Sequence, residues 1–437
     1  MNRFDSALIT LLALVPSLVV LSACGSNESS GSAAPSRETP TASTAADPSE
    51  APSEPVPDEP APAEATPAAP TAPTWPLAID THVDTPQRML DADDDISQEL
   101  PNGHLDVPRM REGGLSAAFF SIWVDPRRYP GEEAWARSQA LVQAVLSLVR
   151  QHPDQVALCR TATEVRAAHA SGRIGVLMGI EGAHGLGEAD PVVLLTRLRE
   201  MYDLGVRYMT VTWTNDNVFA HASTGAHPRR GLTDAGRRLV RDMNEMGMII
   251  DVSHVSDRTV SDVLDITTRP VFASHSSARA LGEHVRNMPD DLIRRVGEGG
   301  GAVCVNYYAQ YIDPTYGAAR RALEDEHRAE FDALAHGHRS WETLVERNAL
   351  ARRLAPELHP PTLETLGAHF AHIAEVAGIG GVCLGSDFDG VGELPAGMED
   401  VSDLPALYAE LTRRQLELAP ILGGNVLRVL AAQAHGE

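Results

Sequence analysis

Lysine is absent from this chain, and all 36 of its basic residues are arginine. A carboxylated lysine, one way of bridging two metal ions inside a barrel, is therefore excluded. Positive charge is scarce overall: 60 acidic residues against those 36 leave a formal net charge of −24. That balance argues against nucleic acid as a partner and against electrostatic attachment to anionic lipid. Cysteine is rare too, at four residues. Cys24 lies near the N-terminus, which leaves an odd three, and Cys304 and Cys383 sit in apolar, strand-like runs. The expectation is buried free thiols rather than a disulfide framework. From Gly25 to Thr74 large apolar side chains are almost missing, and Ser, Ala, Pro, Thr and Glu fill the stretch. Such a segment cannot bury a core and reads as a disordered tether, able to reach on the order of 150 Å in a polyproline II conformation and much less as a flexible coil.

What precedes the tether has a targeting pattern. Arg3 supplies a short positive region, an apolar run spans Ala7 to Leu21, and Leu21-Ser22-Ala23-Cys24 follows. The run is short for a membrane span. The box resembles a bacterial lipoprotein signal, which implies cleavage before Cys24, lipidation on it, and a body held outside the cytoplasm at a membrane. The expected organisation is a signal over 1–23, a lipidated cysteine and tether over 24–74, and one folded domain over 75–437.

Within that domain eight apolar runs recur: Leu77–Asp84, Leu115–Val124, Ile174–Gly182, Val206–Trp213, Met248–His254, Pro270–His275, Ala302–Tyr308 and Val382–Asp387. Helical patterns such as Glu133–Gln151 and Leu232–Met246 fill most gaps. Continuous apolar strands alternating with helices indicate a parallel sheet covered on both faces. Eight such units over this length fit a (β/α)8 barrel, with a doubly wound open sheet as the other arrangement. The longest insertion, the charged and helical Ala318–Leu354, carries His327, His336 and His338, which read as solvated surface residues.

Chemically able residues end most of these strands. On the first, Asp80, His82 and Asp84 alternate and so share one face. Glu181 ends the third, His254 the fifth, His275 the sixth and Asp387 the eighth. A barrel gathers all its C-terminal strand ends around one mouth. Three histidines and three carboxylates there suit two divalent ions, zinc above all. Without lysine the bridging anion must be a side-chain carboxylate, and Glu181 is the best placed.

From Leu77 to Ala432 the chain resembles the membrane (renal) dipeptidase family of zinc peptidases. The likeness rests on Asp80-Thr81-His82-Val83-Asp84, Asp106-Val107-Pro108-Arg109, Ile180-Glu181-Gly182-Ala183-His184 and Asp251-Val252-Ser253-His254. Ser274-His275-Ser276-Ser277-Ala278, Arg286-Asn287-Met288-Pro289, Gly385-Ser386-Asp387-Phe388-Asp389-Gly390 and Gly423-Gly424-Asn425 complete it. The resemblance implies a binuclear zinc centre, with His82 and Asp84 on one ion, His254 and His275 on the other, and Glu181 bridging. It implies a shared water as nucleophile, Asp387 in proton transfer and at the substrate amino group, and Arg286 at the free carboxylate of a dipeptide. Tyr308 and Trp213 would be further substrate contacts, Asp389 would orient the loop, and His184 would support or pack. The family further implies a homodimer. Two positions depart from it: Trp213 stands where many members carry a histidine, and Gln87 where the mammalian enzymes carry a tryptophan. Another amidohydrolase on the same site, such as an N-acyl-amino-acid deacylase or lactam hydrolase, and a weakly active metal-binding surface protein are the competing readings.

Overall fold

The structure, a computed structural model, describes residues 76–188, 190–334 and 340–434. The signal-like segment, Cys24, the tether, Trp75, His336 and His338 lie outside the described residues. The strands are β1 (Ile79–Val83), β2 (Ala117–Trp123), β3 (Val156–Leu158), β4 (Ile174–Glu181), β5 (Val206–Thr210), β6 (Ile249–Asp251), β7 (Phe272–Ala273), β8 (Ala302–Val305) and β9 (Val382–Leu384). They pair in the order β2-β1-β9-β8-β7-β6-β5-β4, and β2 pairs again with β4, so eight parallel strands close into a barrel. Helices follow most strands and cover the outside, as the alternating pattern predicts. The ninth strand, β3, was not foreseen. It is three residues long and pairs with β4 only at Ile174–Val176, ahead of the part of β4 that pairs with β5. Among the described residues no helix is long and apolar enough to cross a membrane.

Long-range ring contacts show which side chains enter the lumen. Phe119 on β2 packs 5.1 Å from Tyr208 on β5 and 6.2 Å from Phe272 on β7, and neither strand is its neighbour. Ile79, Leu177, Ile249, Cys304 and Cys383 join the same buried cluster. One step toward the C-terminal ends the lumen turns polar, with Thr81, Ser121, Thr210, Asp251 and Ser274, all buried.

Two expectations fail here. Cys304 and Cys383 are bonded to each other as a disulfide, and Cys159 is the free cysteine among the described residues. The two are direct register partners on β8 and β9. That adjacency is a property of the closed barrel, invisible in a sequence where they stand 79 residues apart. The simple alternation expected at Asp80, His82 and Asp84 is also broken. The register of β1 against β2 shifts between Asp80 and Val83, so the local phase changes as it does at a bulge. Thr81 and His82 then both face inward, with Thr81 Oγ1 donating to Ser274 O and Leu384 O. Asp80 turns away, and its carboxylate accepts from the backbone N–H groups of His82 and Ser386.

The insertion between β8 and β9 forms helices over Pro314–Glu326, Arg328–Leu334 and Trp341–Leu354 with a small core at Phe331, Leu350 and Ala351. It is docked rather than merely solvated. Buried Arg320 reaches Glu393 at 3.0 Å, and Trp341 meets the ring of His104 edge-on at 4.7 Å. His327 lies at the surface beside Glu330, as expected.

Candidate metal centre

Each strand end contributes as its chain position predicts. Glu181, the last residue of β4, stands at the centre: His254 Nε2 is 2.8 Å from its Oε1, His275 Nε2 3.6 Å from the same atom, and His82 Nε2 3.5 Å from Oε2. Asp84 Oδ2 lies 3.9 Å from His82 Nε2, and Asp387 joins His82 and Asp84 with ligand atoms within 4.8 Å of one another. All six residues are less than a tenth exposed. The backbone is bent to bring them there: His254 and Asp387 have φ of +66° and Asp389 +65°. Such left-handed angles on residues with a Cβ are uncommon and concentrate at functional sites. Gly390 belongs to the same turn, because a Cβ on it would meet Asp84 Oδ2 at 2.0 Å and Asp387 Oδ1 at 2.3 Å.

The electrostatics show what the donor set requires. Burial opposes charge on His82, yet the carboxylates of Glu181, Asp84 and Asp387 more than offset it and push the imidazolium up to about 10. Burial, followed by repulsion from Glu181, raises Asp84 well above the usual carboxylate range. Burial and nearby Arg286 hold His254 down to about 3. These groups thus favour positive charge at their centre and two neutral imidazoles beside it. His82 Nε2 and Asp84 Oδ1 are buried with no hydrogen-bond partner among the described residues, and His254 and His275 point their Nε2 atoms at each other across 2.8 Å. Unpaired buried polar atoms are costly, and imidazole nitrogens converging with carboxylate oxygens are a donor set that a divalent cation would satisfy. The residues fit divalent metal.

Other buried side chains hold these histidines and Asp387. Tyr208 OH is 2.7 Å from His82 Nδ1, a hydrogen bond that orients the His82 ring. Ser274 Oγ is 2.8 Å from His275 Nδ1 and itself donates to Asp251 Oδ2 at 2.6 Å. Such outer contacts fix the tautomer and aim of a ligating histidine. Asn306 donates to Asp387 Oδ2 at 2.9 Å.

Around the ligands a cavity opens, lined by Asp84, Glu181, His254 and Asp387 together with Arg286 and Trp213. Arg286 is 4 % exposed, and its Nη2 donates to His275 O at 3.2 Å. Trp213 packs edge-on against Trp123 at 5.0 Å and stands 6.4 Å from the His254 ring. Gln87 also borders the cavity and holds the wall, with Nε2 donating to Trp123 O and Oε1 accepting from Arg137. Tyr308 lines it beside Tyr311, their rings 4.8 Å apart. Trp341 and Glu342 of the insertion form part of the rim, a contribution the sequence reading missed. His184 Nε2 bonds to Val124 O, which places it in packing behind Trp213. Asp389 accepts from Thr85, Arg88 and the His104 backbone, so it braces the loop of Asp387.

A closed parallel barrel with histidines and carboxylates converging at its C-terminal mouth defines a metal-dependent hydrolase of the α/β-barrel class. The model of the membrane dipeptidase family (peptidase family M19) matches residues 74–436, and the chain belongs to that family. An uncharacterized dipeptidase of Schizosaccharomyces pombe is 34% identical over 373 residues, covering 80% of this chain and 79% of that protein. A dipeptidase of Aspergillus oryzae is also 34% identical, over 344 residues, 76% of this chain and 71% of that one. Among solved structures, a metallo peptidase from Rhodobacter sphaeroides liganded with a phosphinate mimic of the dipeptide L-Ala-D-Ala is 26% identical with a TM-score of 0.66. That likeness covers 82% of this chain and 99% of the other. The chain is a dipeptidase-type metallopeptidase.

Proposed function

We propose that the mouth holds two zinc ions, one on His82 and Asp84 and one on His254 and His275 with Glu181 shared, and that it hydrolyses dipeptides. The observation that carries this is the position of the Glu181 carboxylate within 3.6 Å of three histidine Nε2 atoms. Two zinc ions there would acidify a shared water toward hydroxide at neutral pH and polarise the scissile carbonyl.

The remaining steps belong to the chain. Hydrolysis adds one water across the C–N bond, so a proton must reach the departing amine. Asp387 would make that transfer, a reading supported by its position in the cavity lining beside His82 and Asp84. The same carboxylate would meet the substrate ammonium. Arg286 would pair its guanidinium with the free carboxylate of the substrate, and a buried charge so paired is strongly directional. Holding both charged ends selects short peptides over chains. Trp213 and Tyr308 would shape the space between. We propose too that Cys24 is lipidated and carries the enzyme outside the cytoplasm, on the strength of the Leu21-Ser22-Ala23-Cys24 box.

Turnover of a dipeptide panel by zinc-loaded protein tests the reading. Arg286→Ala should raise KM strongly for free dipeptides and leave C-terminally amidated ones almost unaffected. Equal loss on both would make Arg286 structural, and no turnover of any dipeptide would refute the function.

A further inference from the structure

Beyond the mouth, among the described residues, one cluster of histidine and carboxylate side chains takes no part in the proposed reaction. Asp216, His221 and His227 lie on the long loop after β5, and their ligand atoms fall within 4.8 Å of one another. We infer that they form a separate site for a divalent transition metal of the zinc class, which clamps this loop against the wall of the substrate cavity.

The orientation of each donor supports this. His221 Nδ1 is 2.8 Å from Gly231 O. A carbonyl can only accept, so Nδ1 carries the hydrogen and Nε2 keeps a lone pair. That is the tautomer control by an outer carbonyl usual for ligating histidine. His227 Nδ1 is 2.8 Å from Asp216 Oδ2. Two donors at that separation can share one ion through bonds of ~2.1 Å, the ion replacing the proton between them. The carboxylate itself is fixed, with Oδ1 accepting from Ala222 N at 2.9 Å and Oδ2 from His227 N at 3.0 Å. Gly225 closes over it, since a Cβ there would meet Asp216 Oδ1 at 2.0 Å. Two imidazoles and one carboxylate suit zinc and its neighbours better than calcium or magnesium. The His227 side chain is about half exposed, at 51%, so water would complete the shell and the ion should exchange more readily than those in the mouth.

The loop connects to both parts of the cavity wall. Trp213 precedes Asp216 by three residues. On the far side Ser223 N donates to His254 O at 2.8 Å, Ser256 N donates to His221 O at 3.0 Å, and Ala222 bridges to Val255. An ion on Asp216, His221 and His227 would thus hold the backbone that backs His254.

The test uses the full chain in excess zinc, with bound zinc counted by elemental analysis after removal of free ion. Wild type should carry one more zinc per chain than His221→Ala or His227→Ala. The difference tests this site, whereas the number left in the variants tests the mouth, so the two readings fail separately. Zinc added to wild type with its mouth already loaded should also slow amide hydrogen exchange over residues 214–231 several-fold, with no such effect in His221→Ala. Equal zinc counts in wild type and both folded histidine variants, or zinc-independent exchange in this loop, would overturn the assignment.

Discussion

The lower lumen and the mouth are built from the same strands, yet they ask different things of their side chains. Below, Ile79, Phe119, Leu177, Ile249 and Phe272 pack with the Cys304–Cys383 disulfide, and helix Asn425–Gln433 adds Val426, Leu427 and Leu430. Their contribution is apolar burial, which has no direction and tolerates a conserved volume. Above, every buried group needs a specific partner. Tyr208 serves His82, Ser274 serves His275, and Asp251 serves Ser274. Stability should therefore reside largely in the lower region and function in the upper, with the polar layer at Thr210, Asp251 and Ser274 as the boundary between them.

The largest effect expected is at the centre of the mouth. Glu181→Gln removes one ligand from both proposed ions, so kcat/KM should fall further than the ~10²–10³ typical of losing a single transition-state donor. It should fall further than in His82→Ala, His254→Ala or His275→Ala, with reduced zinc by elemental analysis. Activity equal to wild type would remove Glu181 from the bridging role. Next comes a change confined to the lower lumen. Cys304→Ala with Cys383→Ala opens a covalent loop of 79 residues, and disulfides on such loops contribute ~2–5 kcal/mol. Denaturant unfolding should show that loss while zinc content and KM stay the same. Zinc loss in this variant would break the division between the regions.

A smaller effect tests the boundary layer. Ser274→Ala takes away the acceptor for His275 Nδ1–H while Asp251 keeps Thr210 at 2.5 Å. Outer contacts of this kind are worth ~10–100-fold in metal affinity. Chelator competition should show weakening of that size for one ion, with the unfolding midpoint little changed. If affinity holds and stability drops instead, Ser274 belongs with the packing below it.

The two regions also differed in how far the sequence revealed them. The candidate ligands His82, Asp84, Glu181, His254 and His275, with Asp387 beside them, were legible because each ends an apolar run, and barrel closure alone brings such ends together. The groups that aim them were not. Whether Tyr208 reaches His82 depends on which strands face each other across the lumen, and Asp80 was misjudged because the register shift in β1 leaves no mark in composition. The disulfide was missed for a related reason: free-thiol reasoning counts cysteines, whereas the bond depends on β8 and β9 being neighbours in register. The insertion was recognised as helical and charged, but its docking through Arg320 to Glu393 and its place at the rim are tertiary facts.

The smallest effect concerns Trp213, where the wall of the mouth departs from the family pattern. Its ring is nearly buried, edge-on to Trp123, and 6.4 Å from the His254 ring. Edge-to-face pairs are worth ~0.5–1.5 kcal/mol beyond burial, so Trp213→Ala should lower stability modestly. Its functional consequence should be a wider pocket. Adding or removing one small apolar group in a pocket changes specificity by ~10–200-fold at most, and a wall residue belongs at the low end. The expected result is a shift of about tenfold in kcat/KM toward dipeptides with a larger residue on the amino side, at unchanged zinc content. Trp213→His should separate bulk from hydrogen bonding. If both variants widen the preference but only histidine raises kcat, the family's histidine acts through its ring N–H, and this chain works without it. Zinc lost from Trp213→Ala would instead show that the ring holds the His254 backbone in place, making the wall of the mouth part of its metal centre.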